Sequence, residues 1–191
     1  MKKRIFSTFL LFLMIVCYSI KVYDINANAI KVETLDFEMN ENVKIENDFF
    51  YNSNEDMNGY LVCVNESELV DADELMRRYK INENDIYSSQ YILVNMSFKN
   101  EFNNNKSSGI NLNEYLFQQS SFVRCADREL FYQINDFNSM LFTLSEKYSV
   151  DFVLPFGLDS EYIDINKIKK SDSYIVISLF PHKKEIKLNI S

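Results

Sequence analysis

The single histidine of the chain, His182, stands in Pro181-His182-Lys183-Lys184, between two apolar runs. Histidine titrates nearest neutrality, so it is the first residue to consider for acid–base work. That work needs a partner that orients the ring and a pocket around it. A four-residue turn rarely supplies either, so His182 is expected as an exposed turn residue, dispensable for function. A Ser-His-Asp triad would have to use this one residue, which argues against that kind of hydrolysis.

Other chemistries leave weaker marks. No CxxC, HExxH or EF-hand pattern occurs, and the 3 glycines form no phosphate cradle. Asn40-Glu41-Asn42 and Asn82-Glu83-Asn84-Asp85 offer oxygens to a hard cation. They lack the glycine and carboxylate spacing of a tuned calcium loop, so solvated turns are the expectation. No catalytic, cofactor-binding or metal-binding residue is assigned. Paired carboxylates for glycoside hydrolysis remain open, since any two acids of a fold can meet in space.

Cys63 and Cys125 follow the N-terminal segment, and in an exported body such a pair can form a disulfide. The alternative is two small buried apolar residues. Arg77, Arg78 and Arg124 have the shape to clamp an anion, with pairing to neighbouring acids the plainer reading. Phe49-Phe50-Tyr51 and Phe131-Tyr132 suit a partner surface or, by default, the core.

The elements that would carry these residues begin with a targeting segment. Met1-Lys2-Lys3-Arg4 is basic, Ile5–Ile20 is apolar, and Ala27-Asn28-Ala29 has the small residues of a cleavage site before Ile30. Residues 1–29 therefore read as a signal peptide, or as a membrane anchor across residues 5–23 if uncleaved. The basic residues stay inside, so the body is expected to be extracytoplasmic, secreted or anchored. Of 20 basic and 28 acidic residues, the first 29 positions hold four and one, which leaves the body at a net −11. That charge repels phosphate backbones, so no nucleic acid is expected, and the membrane is met only through the N-terminal segment.

Residues 30–56 are acidic and Asn-rich and read as a flexible lead-in, with one strand signal at Leu35, Phe37 and Met39. Residues 57–191 carry the domain. Asn58-Gly59 reads as a turn before a strand at Tyr60–Asn65. Asp71 caps a helix at Ala72–Tyr79, and Gln90–Lys99 is a strand apolar on both faces at its start, as for a central strand. Further candidates are a strand at Tyr115–Val123, helical turns at Ala126–Ile134, and a strand pair Met140–Leu144 with Val150–Phe156. Pro155 implies an edge strand, with Pro-Phe-Gly as its close. A hairpin joins Tyr174–Phe180 to Glu185–Ile190, with Ile186, Leu188 and Ile190 facing inward. Seven to eight short strands, one or two short helices and no βαβ alternation predict a mainly all-β chain, an antiparallel β-sandwich.

The succession YILVNMSFKN, GINLNEYLFQQSSF, RELFYQIN, VDFVLPFGL and YIVISLFPHKKEIKL resembles the family called domain of unknown function 5028, small exported proteins of Gram-positive bacteria. The resemblance runs from about Asn58 to Leu188. It implies an immunoglobulin-like sandwich and carries no active-site residues. The expected function is a non-enzymatic extracytoplasmic interaction module with a protein partner. The alternative is an envelope-acting, carbohydrate-active hydrolase using paired carboxylates.

Overall fold

The computed structural model describes residues 2–27, 32–51, 56–102, 109–159, 163, 168 and 171–191. The chain divides into Met1–Lys31 and Val32–Ser191.

The first unit is the helix α1, Lys2–Ala27. From Phe12 onward its apolar side chains are exposed on every side, Ile15, Tyr18 and Val22 among them. Side chains before Phe12 lie outside the description, and within the described part no helix is long and apolar enough to cross a membrane. Of the expected cleavage site only Ala27 is described; Asn28 to Ile30 lie outside the described residues.

The second unit is a β-sandwich. Its strands are β1 (Glu33–Phe37), β2 (Val43–Glu46), β3 (Met57–Asp71), β4 (Gln90–Asn100), β5 (Ile110–Asn111), β6 (Leu116–Gln119), β7 (Phe122–Cys125), β8 (Leu141–Phe142), β9 (Ser149–Leu158), β10 (Ser173–Ser178) and β11 (His182–Lys187). Among the described residues its α-helices are α2 (Ala72–Tyr79) and α3 (Arg128–Asn135), with a 3-10 turn at Glu83–Asp85. One sheet runs β1-β11-β10-β6-β7 and the other β2-β3-β4-β9, with β5 and β8 a separate ribbon. All described pairings are antiparallel except β1 with β11, which is parallel.

Period-2 alternation builds the core. Across one sheet the row Phe117, Ile175, Ile186 and Phe37 faces inward; across the other, Val64, Met96 and Phe152 do. Phe117 and Phe156 join the sheets with ring centroids 5.8 Å apart. Phe152 is an aromatic hub, its ring 5.0 Å from Phe137, 5.2 Å from Phe142 and 5.3 Å from Phe131.

A smaller apolar cluster lies on the opposite face of the second sheet. Tyr91 and Leu93 point there and pack with Leu75 of α2 and Leu130 of α3. The central strand is thus covered on two sides, as its sequence implied. Asp71 caps α2 by accepting from Glu74 N at 2.7 Å, and Asp127 caps α3 by accepting from Leu130 N at 3.1 Å.

Several expectations are corrected. The segment read as a flexible lead-in supplies β1 and β2, with Val43 and Ile45 buried; the sandwich starts with β1 at Glu33, not at residue 57. Asn58-Gly59 lies inside β3, where Gly59 takes φ 95° and a Cβ would meet Phe102 O at 3.1 Å. Tyr115–Val123 is not one strand but two, turning between β6 and β7. Met140–Leu144 does not pair with β9; its strand β8 pairs with β5. β9 is indeed an edge strand, and Pro155 O accepts from Asp127 N at 2.7 Å. Pro155 therefore turns its missing N–H side away from β4, where no ladder bond is lost. Pro-Phe-Gly does not close this strand, which runs on to Leu158.

The β10–β11 hairpin gives the sharpest stability contrast. Leu188 is 5% exposed in the core, while Lys187 reaches out to Asp172 at 2.7 Å. Leu188→Ala should cost about 2–5 kcal/mol in denaturant titration. Lys187→Ala should cost about 1 kcal/mol or less, the range of an exposed ion pair. Equal effects would contradict this register.

Candidate functional site

The least ordinary chemistry of the body starts in the hairpin assigned above to a turn. Alternation from Leu188 through Ile186 continues to Lys184, which therefore also points inward from β11, and His182 lies on the same side with its side chain 42% exposed. Lys184 is 3% exposed and Asp48, just past β2, is 4% exposed. Lys184 Nζ lies 2.5 Å from Asp48 Oδ2. It also donates to Lys44 O at 2.7 Å and lies 3.3 Å from both Ile45 O and Glu46 Oε2. A buried ammonium needs such a set, since each unsatisfied N–H would keep its desolvation cost.

The other carboxylate oxygen serves His182. Asp48 Oδ1 accepts from His182 N at 3.3 Å and lies 3.1 Å from His182 Nδ1, a contact made when the proton sits on Nδ1. The expectation of an exposed, unpartnered turn histidine is thus corrected: His182 opens β11, is half-buried and has an orienting carboxylate. A bridge between Phe49 and Phe180 closes the same corner, with Phe49 N donating to Phe180 O at 2.6 Å and Phe180 N to Phe49 O at 2.9 Å.

Above Asp48 lies a cavity of about 180 Å³. Phe50 and Tyr115 form part of its wall, both 4% exposed, with centroids 6.2 Å apart. Met57, Ile110 and Leu141 supply aliphatic surface, and Glu114 a second carboxylate. Glu114 Oε1 accepts from Asn111 Nδ2 at 2.9 Å; among the described residues no cation pairs with it.

The remaining sequence candidates lie apart from this corner. Arg77 and Arg78 pair with Glu74 at 3.0 Å each, and Arg78 also with Glu68. These hydrogen bonds, Arg77's first, hold the Glu74 carboxyl below its usual range. Arg124 lies 5.8 Å over the Phe122 ring rather than against an acid. Asn82 accepts from Asn84 N at 3.0 Å and Asp85 from Gln133 at 3.2 Å, so that cluster is a turn. Among the described residues no group of three His, Cys, Asp or Glu could hold a metal ion. Phe49 and Phe50 line the cavity, whereas Phe131 is core.

The possible disulfide between Cys63 and Cys125 is not formed; both are free thiols, Cys63 buried as in the alternative reading and Cys125 exposed. They sit in different sheets, Cys63 on β3 opposite Ser97 and Cys125 on β7 opposite Leu116. Cysteine number alone contains no such spatial information.

The model of the family described as Domain of unknown function (DUF5028) matches residues 34–184, and the chain belongs to that family. No curated protein matches. Among solved structures, an uncharacterized beta-sandwich protein from Clostridium difficile 630 is similar at 10% identity and a TM-score of 0.42, covering 84% of this chain and 99% of that one.

The thiols should differ in reactivity. Burial pushes the Cys63 thiol up, which keeps it protonated and slow, whereas Cys125 is exposed. Alkylation of the native protein at pH 8, mapped by peptide mass, should mark Cys125 well before Cys63. Equal labelling, or a Cys63–Cys125 cross-linked peptide, would contradict the placement.

Proposed function

We propose that this family member is a non-enzymatic interaction module, displayed outside the membrane or released from it, that binds a protein partner through the Asp48 corner. The observation that carries the reading is the state of the buried groups there. Both Asp48 oxygens are engaged, by Lys184 and by His182, so this carboxylate holds structure together instead of standing free to take a substrate proton. Next to it lies a cavity walled largely by apolar and aromatic side chains, the lining that anchors partner residues at interfaces.

The extracytoplasmic part rests on the basic Lys2-Lys3-Arg4, the apolar run after it, and the exposed apolar side chains of α1 from Phe12 to Tyr18. Such an apolar stretch suits a lipid or signal-recognition environment better than water. The net −11 of the body turns it away from anionic headgroups and nucleic acid and towards partners of positive charge.

The hydrolase reading is favoured by one observation, that Asp48 and Glu114 line the same cavity. Against it stands the engagement of Asp48, because a general acid or nucleophile must be able to exchange its proton or attack.

Location is testable in cells that express the chain naturally. External protease should remove the body from intact cells, or the body should be recovered from the medium. Full protection with no secreted product would contradict extracytoplasmic display.

A further inference from the structure

The cavity is small for a ligand site. At about 180 Å³ it has room for roughly six waters at ~30 Å³ each, well below the ~300–1,000 Å³ of drug-sized pockets. A nucleotide or an oligosaccharide does not fit; a single long side chain does.

Its lining also selects by charge. Asp48 is neutralised by Lys184, but Glu114 has only the Asn111 amide among the described residues. An anion entering here meets that carboxylate. A purely aliphatic group would strip water from Glu114 and return no hydrogen bond, an unfavourable exchange. A cation on an apolar stem meets neither problem. Its stem packs on Met57, Ile110 and Leu141, and its charge reaches Glu114. The Phe50 and Tyr115 rings, 6.2 Å apart, add aromatic surface that attracts cations.

We propose that this cavity is the anchor site for one basic side chain, lysine or arginine, projecting from the partner protein. The inference rests on the interaction-module reading and narrows it to a partner with an exposed basic residue. The body's net −11 steers such a partner during encounter.

The test uses the full chain in a mild detergent and the peptide acetyl-Gly-Lys-Gly-amide, with norleucine and glutamate peptides as controls. Amide resonances of Gly109, Asn111 and Glu114 are followed by NMR. The lysine peptide should shift them saturably in the millimolar range. The norleucine peptide should bind about fivefold more weakly or worse, the size of one partly exposed charge interaction. Glu114→Gln, with an unchanged melting midpoint, should weaken lysine binding by a similar factor. Equal binding of norleucine, indifference to Glu114→Gln, or no saturable shift would overturn the proposal. A photo-crosslinker at Leu141, on the exposed rim, separates this failure from that of the parent reading. A partner protein crosslinked in cells only from other surface positions overturns the anchor and keeps the module. No crosslinked protein from any surface position overturns both.

Discussion

A buried ion pair between the two sheets governs the arrangement of the functional corner. Lys184 belongs to β11 of one sheet, and Asp48 follows β2 at the edge of the other. Both side chains are 4% exposed, so neither charge can be relieved by water. In such surroundings an ion pair adds little net stability over an apolar pair of equal shape, yet losing one partner strands the other. The pair therefore acts as a specificity device. In the observed placement of the chain after β2, Asp48 serves Lys184 and His182 together.

The cavity follows from that constraint. Fixing Asp48 fixes Phe49, whose backbone exchanges hydrogen bonds with Phe180, and sets Phe50 against Tyr115. The ladder from Tyr115 through Phe98 to Phe152 then ties the cavity wall to the aromatic hub of the core. A pocket built on a rigid core holds its shape between encounters, so less ordering entropy opposes binding. Functional groups and sandwich core are thus one connected structure rather than a loop laid on a scaffold.

Much of the fold was legible because it is written locally. Asp71 and the residues after it specify α2 to its limits, and Tyr91 and Leu93 reveal a strand covered on both faces. Period-2 alternation located the β10–β11 hairpin and its inward Ile175, Ile186 and Leu188, but not its bounds, since β11 runs His182–Lys187 and not Glu185–Ile190. The same alternation, carried back from Ile186, would have turned Lys184 inward and put His182 on the same side. Their polar type, after a proline, made them look like a turn instead. Their partner Asp48 is more than 130 positions away, beyond any local pattern. Distance hid the true neighbours elsewhere too: β8 pairs with β5 and not with the strand next in sequence, and β1 reaches β11 in parallel from the far end of the body. The candidate site was therefore almost invisible, with only Phe49, Phe50 and His182 noticed as residues.

The central claim is that Asp48 and Lys184 are coupled and hold the corner in one arrangement. A denaturant-unfolding cycle on Lys184→Met, Asp48→Asn and the double variant measures that coupling directly. The account predicts that Lys184→Met alone loses about 3–5 kcal/mol, because it leaves a buried carboxylate short of its counter-charge. It also predicts that the double variant is more stable than Lys184→Met, since the stranded charge is gone. Losses that simply add, or a Lys184→Met loss of about 0.5 kcal/mol as for a surface residue, would contradict it.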